Sequence, residues 1–119
     1  MPRAPKSEPP RSPLRLAADH LEGRGHVILD SGLKRQPIDI VSRKDGLIVF
    51  TAVRQYPSLY SRADYVTERQ RVDVRKAGAA WLARHESIPQ ASELRFDGIG
   101  ITIDGTGRLL RLDYFEGLY

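Results

Sequence analysis

A chain of 119 residues, 40% hydrophobic and 29% charged, has the size of one domain with one modest core. It has no cysteine and only three histidines, which excludes disulfides, a thiol nucleophile and Cys-ligated zinc or iron–sulfur centres. The net charge of +4 is unevenly placed: residues 1–84 carry 16 Lys or Arg against 9 Asp or Glu, and residues 85–119 carry 3 against 6.

Such asymmetry is the footprint of a surface that attracts polyanions. No apolar run reaches the roughly 18 residues of a membrane-spanning helix. The N-terminus is charged and proline-rich rather than apolar, so it does not read as a secretory signal and a cytoplasmic protein is expected. Five of the eight prolines fall among the first 13 residues, with Arg3, Lys6 and Arg11 between them. That composition cannot bury enough apolar surface to offset ordering entropy, so residues 1–11 read as a disordered leader and residues 12–119 as a single domain.

Ser12-Pro13 is a helix start, with the serine as N-cap and the proline at the first helical position. Leu14, Ala17, Ala18 and Leu21 then follow helical spacing up to Gly25, which predicts a helix over 13–23. Three strands follow, at 26–30, 38–42 and 47–54, each rich in β-branched or aromatic residues. Asp45-Gly46 between the last two signals a two-residue hairpin turn. A turn closing between Lys44 and Leu47 makes facing residues sum to 91, which sets Asp39 opposite Ala52 and puts Arg54 on the same face. Residues 55–62 show no period and read as a loop. A long helix over 67–85 carries Val74, Ala77 and Trp81 on one face, with Arg71 and Arg75 on another, and Pro89 marks the loop after it. A strand from Leu94 through Ile99, Ile101 and Ile103, a turn at Gly105-Thr106-Gly107 and a strand over 109–112 complete the order α-β-β-β-α-β-β. The fold class is α/β: a mixed sheet of about five strands flanked by two helices.

The run Ala17-Ala18-Asp19-His20-Leu21-Glu22-Gly23-Arg24-Gly25-His26-Val27-Ile28-Leu29 resembles the opening helix and first strand of the YraN-like family, bacterial proteins with a restriction-endonuclease-like fold. Pro37-Ile38-Asp39-Ile40-Val41 and Leu47-Ile48-Val49-Phe50-Thr51-Ala52-Val53-Arg54 are similar to that family's Glu-Ile-Asp-Leu-Ile and Leu-Val-Phe-Val-Glu-Val-Lys. Val66-Thr67 and Arg75-Lys76-Ala77-Gly78-Ala79-Ala80-Trp81-Leu82 resemble its long helix, and Arg95-Phe96-Asp97 with the isoleucine strand resembles its close. The likeness spans about residues 14–118.

The resemblance implies a metal-dependent nuclease core, in which carboxylates on neighbouring strands hold Mg²⁺ and a lysine positions or activates water. The chain departs from that pattern at nearly every such position. Asp39 matches the family aspartate, but Ala52 stands at the strand glutamate and Arg54 at the lysine. Leu14 stands at a helix glutamate, and Pro37 at the acidic residue before Ile-Asp. A methyl group cannot ligate a cation, and a guanidinium stays protonated and cannot act as a base. Asp39 is therefore the one surviving metal or catalytic candidate, and an ion pair with Arg54 is its simpler role. Asp45, Glu68 and Asp97 are the other acids within range, read respectively as a turn former, a first-turn helix acid and a solvent-facing strand end.

No P-loop or nucleophile elbow accompanies these residues. The remaining functional material is basic and aromatic. Arg54, Arg62, Arg69, Arg71, Arg75 and Lys76 would contact phosphates, and Tyr56, Tyr60 and Tyr65 would be available to bases. The expectation is a non-specific nucleic-acid-binding protein on an endonuclease-like scaffold, with no cofactor, no membrane association and little or no hydrolysis. Two alternatives stand beside it. One is a nuclease using Mg²⁺ or Mn²⁺ through non-standard ligands. The other is a protein-interaction module with an apolar patch around Leu59, Tyr60, Phe115, Leu118 and Tyr119.

Overall fold

A computed structural model describes residues 11–88 and 93–119. Residues 1–10 of the expected leader, and the loop at Pro89, lie outside the described residues. The elements run α1 (Pro13–Gly23), β1 (Val27–Ser31), β2 (Ile40–Lys44), β3 (Leu47–Tyr56), α2 (Glu68–Ala83), β4 (Glu93–Ile103) and β5 (Leu109–Phe115). This is the order read from the sequence. The five strands form one sheet in the order β1-β2-β3-β4-β5. All neighbours are antiparallel except β3 and β4, which are parallel and joined through α2.

Both helices begin where their side chains cap them. The Ser12 hydroxyl accepts from the Arg15 amide, with Pro13 opening the helix. Thr67 and Gln70 form a reciprocal capping box at the start of α2. After α1, Gly25 takes φ +92, a backbone region that a side chain would disfavour. The β2–β3 turn places Asp45 at φ +54. The ladder then pairs Lys44 with Leu47 and Ile40 with Thr51, the register expected from that turn.

Some boundaries move, and each move has a tertiary cause. β2 runs two residues closer to the turn than 38–42, because its ladder closes on the turn itself. β3 continues through Gln55 and Tyr56, which had read as loop, because β4 offers Ile101 and Thr102 as parallel partners. β5 reaches Phe115 because β4 still presents Gly98 to pair with it.

The sheet is covered on both faces, so its central strands are apolar on both sides rather than alternating. On one face Val74, Ala77 and Trp81 of α2 pack with Ile48, Phe50 and Ala52 of β3 and Phe96 of β4. Phe50 stacks on Phe96 at 5.1 Å between centroids and meets Trp81 edge-on at 5.9 Å. On the other face Ala17, Ala18 and Leu21 of α1 pack with Ile40, Ile99 and Ile101. Gly78 lets α2 approach the sheet: a Cβ there would stand 2.7 Å from Phe96 Cε1 and 3.4 Å from Phe50 Cδ2.

Asp97 corrects the expectation of a solvent-facing strand end. Its side chain is fully buried. The carboxylate accepts from Arg95 Nε at 2.8 Å, Arg95 Nη2 at 2.9 Å, the Tyr114 hydroxyl at 2.5 Å and the Gly117 amide at 2.8 Å. A carboxylate removed from water requires such a set of partners, because burying an uncompensated charge costs several kcal/mol. The network joins β4 to β5 and to the turn after β5. Beyond that turn the Tyr119 amide donates to the Phe96 carbonyl at 3.1 Å, which brings Leu118 and Tyr119 onto the α2 face.

Two substitutions test this packing by chemical denaturation. Gly78→Val should lower stability by about 1–3 kcal/mol, since the stacked Phe50–Phe96 pair leaves its new methyl groups no room. Asp97→Ala should cost about 3 kcal/mol by leaving Arg95 and Tyr114 without their acceptor.

Candidate nucleic-acid interface

The hairpin brings Asp39, Ala52 and Arg54 together at the C-terminal end of β3. Asp39 precedes β2 by one residue and keeps its register, its amide donating to the Thr51 carbonyl at 2.9 Å. Its Oδ2 accepts from the Val53 amide at 2.6 Å and lies 3.8 Å from Arg54 Nη1. Both side chains are about one-third exposed. The ion pair expected from the turn is therefore present, at the long end of contact distance.

Burial pushes the Asp39 carboxyl above the usual carboxylate range, while the Val53 amide and the Arg54 charge pull it back in part. Ala52 is wholly buried in the apolar cluster under α2. Its strand partner on β4 is Gly98. A Cβ at Gly98 would meet Leu118 Cδ2 at 2.5 Å and Tyr119 Cε2 at 3.2 Å, so this pair of small residues makes the space that residues 118–119 fill.

Tyr119 is only 5% exposed. Burial raises the pKa of its phenol, with Tyr56 and Asp39 adding to the effect and Arg54 opposing it, so the hydroxyl stays protonated and neutral. The expectation of an exposed patch around Phe115, Leu118 and Tyr119 is corrected accordingly: Tyr119 is core, and Phe115 and Leu118 are half-buried. They fold back because β5 and the Asp97 network carry them across the end of β4. Gly98, like Gly100 in the same strand, is a sequence sign of a close approach.

These residues do not suit the metal that an endonuclease-like core would hold. One carboxylate, a methyl in the core and an adjacent guanidinium do not supply the set of hard oxygen ligands that Mg²⁺ takes. Among the described residues no group of three or more His, Asp or Glu side chains is placed to hold an ion. Asp45 sits on the turn, Glu68 in the first turn of α2, and Asp97 inside its own network.

The basic residues are spread over several separate settings. Arg54 adjoins Asp39. Arg71 and Arg75 of α2 reach toward residues 118–119: Arg75 Nη2 donates to the Tyr119 main-chain oxygen at 2.8 Å, and Arg71 Nη2 lies 3.5 Å from that of Leu118. Arg75 also lies over the Phe96 ring at 5.1 Å. Arg62, Arg69 and Arg71 form exposed pairs with Asp64, Asp73 and Glu68 respectively. Pairs of that kind contribute about 0–1 kcal/mol each and exchange readily for another anion. Lys76 stands apart, lining a shallow groove with Gln36, Pro37 and Asp73. Tyr56 ends β3 against Gly100, and Tyr60 is 94% exposed on the following loop.

A mixed five-stranded sheet between two helices, with an arginine–carboxylate pair toward the end of its parallel strands, defines a small α/β protein. Residues 15–101 match the model of the uncharacterised protein family UPF0102. A UPF0102 protein of Rhodopseudomonas palustris is 40% identical over 85 residues, 70% of this chain and 65% of its own length. One from Bradyrhizobium sp. is 38% identical over 85 residues, covering 60% of its length. One from Corynebacterium efficiens is 34% identical over 109 residues, 87% of this chain and 84% of the relative. The chain thus spans less than two thirds of the first two relatives. It belongs to the UPF0102 family, the YraN-like group that its motifs resemble. No helix among the described residues is long and apolar enough to cross a membrane.

The Asp39 environment makes a pH-dependent prediction. A carboxyl whose folded pKa is raised binds its proton more tightly when folded, so its contribution favours folding at low pH and is lost as pH climbs through the raised value. Asp39→Asn should therefore gain stability relative to the parent between pH 3 and pH 7 in paired urea titrations. A constant difference across that range would contradict the raised pKa.

Proposed function

We propose that this protein binds nucleic acid through phosphate contacts centred on Arg54 and does not hydrolyse it. The observation that carries the reading is that a core alanine and an arginine stand where the family resemblance puts a glutamate ligand and a lysine. A guanidinium binds phosphate in a bidentate fashion and stays charged at any relevant pH, so it suits retention of a phosphate rather than activation of water. The basic excess of residues 1–84 supports the same reading, because phosphate contacts dominate non-specific affinity. Fold likeness to endonucleases is analogy and adds only to the prior.

Salt titration of binding to a labelled oligonucleotide tests it. The logarithm of the association constant should fall linearly with the logarithm of salt concentration. Arg54→Ala should weaken binding several-fold and reduce that slope by about one phosphate contact. Absence of retention at low salt would overturn the proposal. So would Mg²⁺- or Mn²⁺-dependent cleavage that disappears in Asp39→Ala, which would establish the nuclease alternative instead.

A further inference from the structure

We propose that the loop joining β3 to α2 is a base-stacking platform, and that the protein accordingly selects nucleic acid with unpaired bases over intact duplex. This rests on the nucleic-acid reading above and narrows its substrate class.

Residues 57–67 leave three large side chains in solvent: Tyr60 at 94% exposure, Tyr65 at 67% and Leu59 at 46%. The contrast is with Tyr114 and Tyr119, whose rings are built into the fold. The loop that carries the exposed rings is nonetheless tied down. The Ser58 hydroxyl accepts from the Tyr60 amide at 3.1 Å, and the Ser58 carbonyl accepts from the Ser61 amide at 3.1 Å. The Arg62 carbonyl accepts from the Tyr65 amide at 3.3 Å. Ala63 is buried against the sheet at Gly100, where an added Cβ would stand 2.8 Å from the alanine methyl. Gly100 therefore lets the loop dock, and the two rings project from an ordered turn. Holding them so reduces the ordering cost on binding.

Placement and charge agree with this role. The loop leaves β3 two residues beyond Arg54, at the same end of the sheet as the Asp39–Arg54 pair. Its arginine and its neighbours on α2 are each matched with an acid: Arg62 with Asp64, Arg69 with Asp73 and Arg71 with Glu68. The local field is thereby diluted, so attraction to the duplex backbone alone is modest. Stacking on an aromatic ring adds roughly 5- to 150-fold per base. That gain is open only to bases whose faces are free, since a duplex keeps them covered by their neighbours.

The test uses the full chain, a labelled mixed-sequence DNA strand and its blunt-ended duplex, with dissociation constants measured by fluorescence anisotropy at low salt. The single strand should bind at least about fivefold more tightly than the duplex. Tyr60→Ala and Tyr65→Ala, both at exposed positions, should each erase about fivefold or more of single-strand affinity and leave duplex binding unchanged. Tyr60→Trp should retain the preference. Equal binding of both DNAs, or alanine variants that bind the single strand like the parent, would overturn the stacking proposal while leaving an Arg54-dependent phosphate contact intact. Binding of neither DNA would overturn the nucleic-acid reading and this inference with it.

Discussion

The buried carboxylate of Asp97 is the constraint on which the candidate site depends. It sits in the parallel half of the sheet with no exposure to water, held by both nitrogens of an arginine fork, a phenol and a backbone amide. An unpaired charge there would cost more than a small domain can spare. Satisfied, it locks β5 and the turn after it in one position. That position carries Leu118 and Tyr119 over Gly98, beside Ala52. Polar satisfaction on one face of the sheet thus decides what covers the other face.

The consequence is that position 52 is sealed by apolar packing, while Asp39 and Arg54 beside it stay about one-third exposed. Ala52 is a core residue with a ring packed across its strand neighbour. Introducing a carboxylate there would place a charge inside an apolar cluster. Arg54 escapes that cluster because it lies near the strand end, about one-third exposed, with Asp39 as its partner. Asp39 and Arg54 thus form a part-exposed ion pair at the rim of a closed core.

Local chemistry made much of this legible. Ser12-Pro13 and Thr67 announce their helices because a side-chain oxygen satisfies amides that the helix leaves free. Asp45-Gly46 sets the hairpin register, and that register alone places Asp39 near Arg54. The extension of β3 past Arg54 was hidden because it relies on β4, whose residues lie more than 40 positions away. Asp97 was misread for a similar reason: an acid near a strand end is ordinarily solvated, and only the later arrival of Tyr114 and Gly117 makes its burial tolerable. Tyr119 carries no motif, and its destination became visible only as a space above a glycine.

The amino-acid order by itself determined the number and type of elements and the hairpin pairing, because each follows from contacts between near neighbours or from the chemistry of one side chain. Tertiary structure alone decided that Asp97 is internal, that the loop with Tyr60 is anchored through Ala63, and that Tyr119 closes the face beside Ala52. Those outcomes depend on surfaces that exist only once the parallel strands have met across α2, and no local rule encodes which partners will then be within reach.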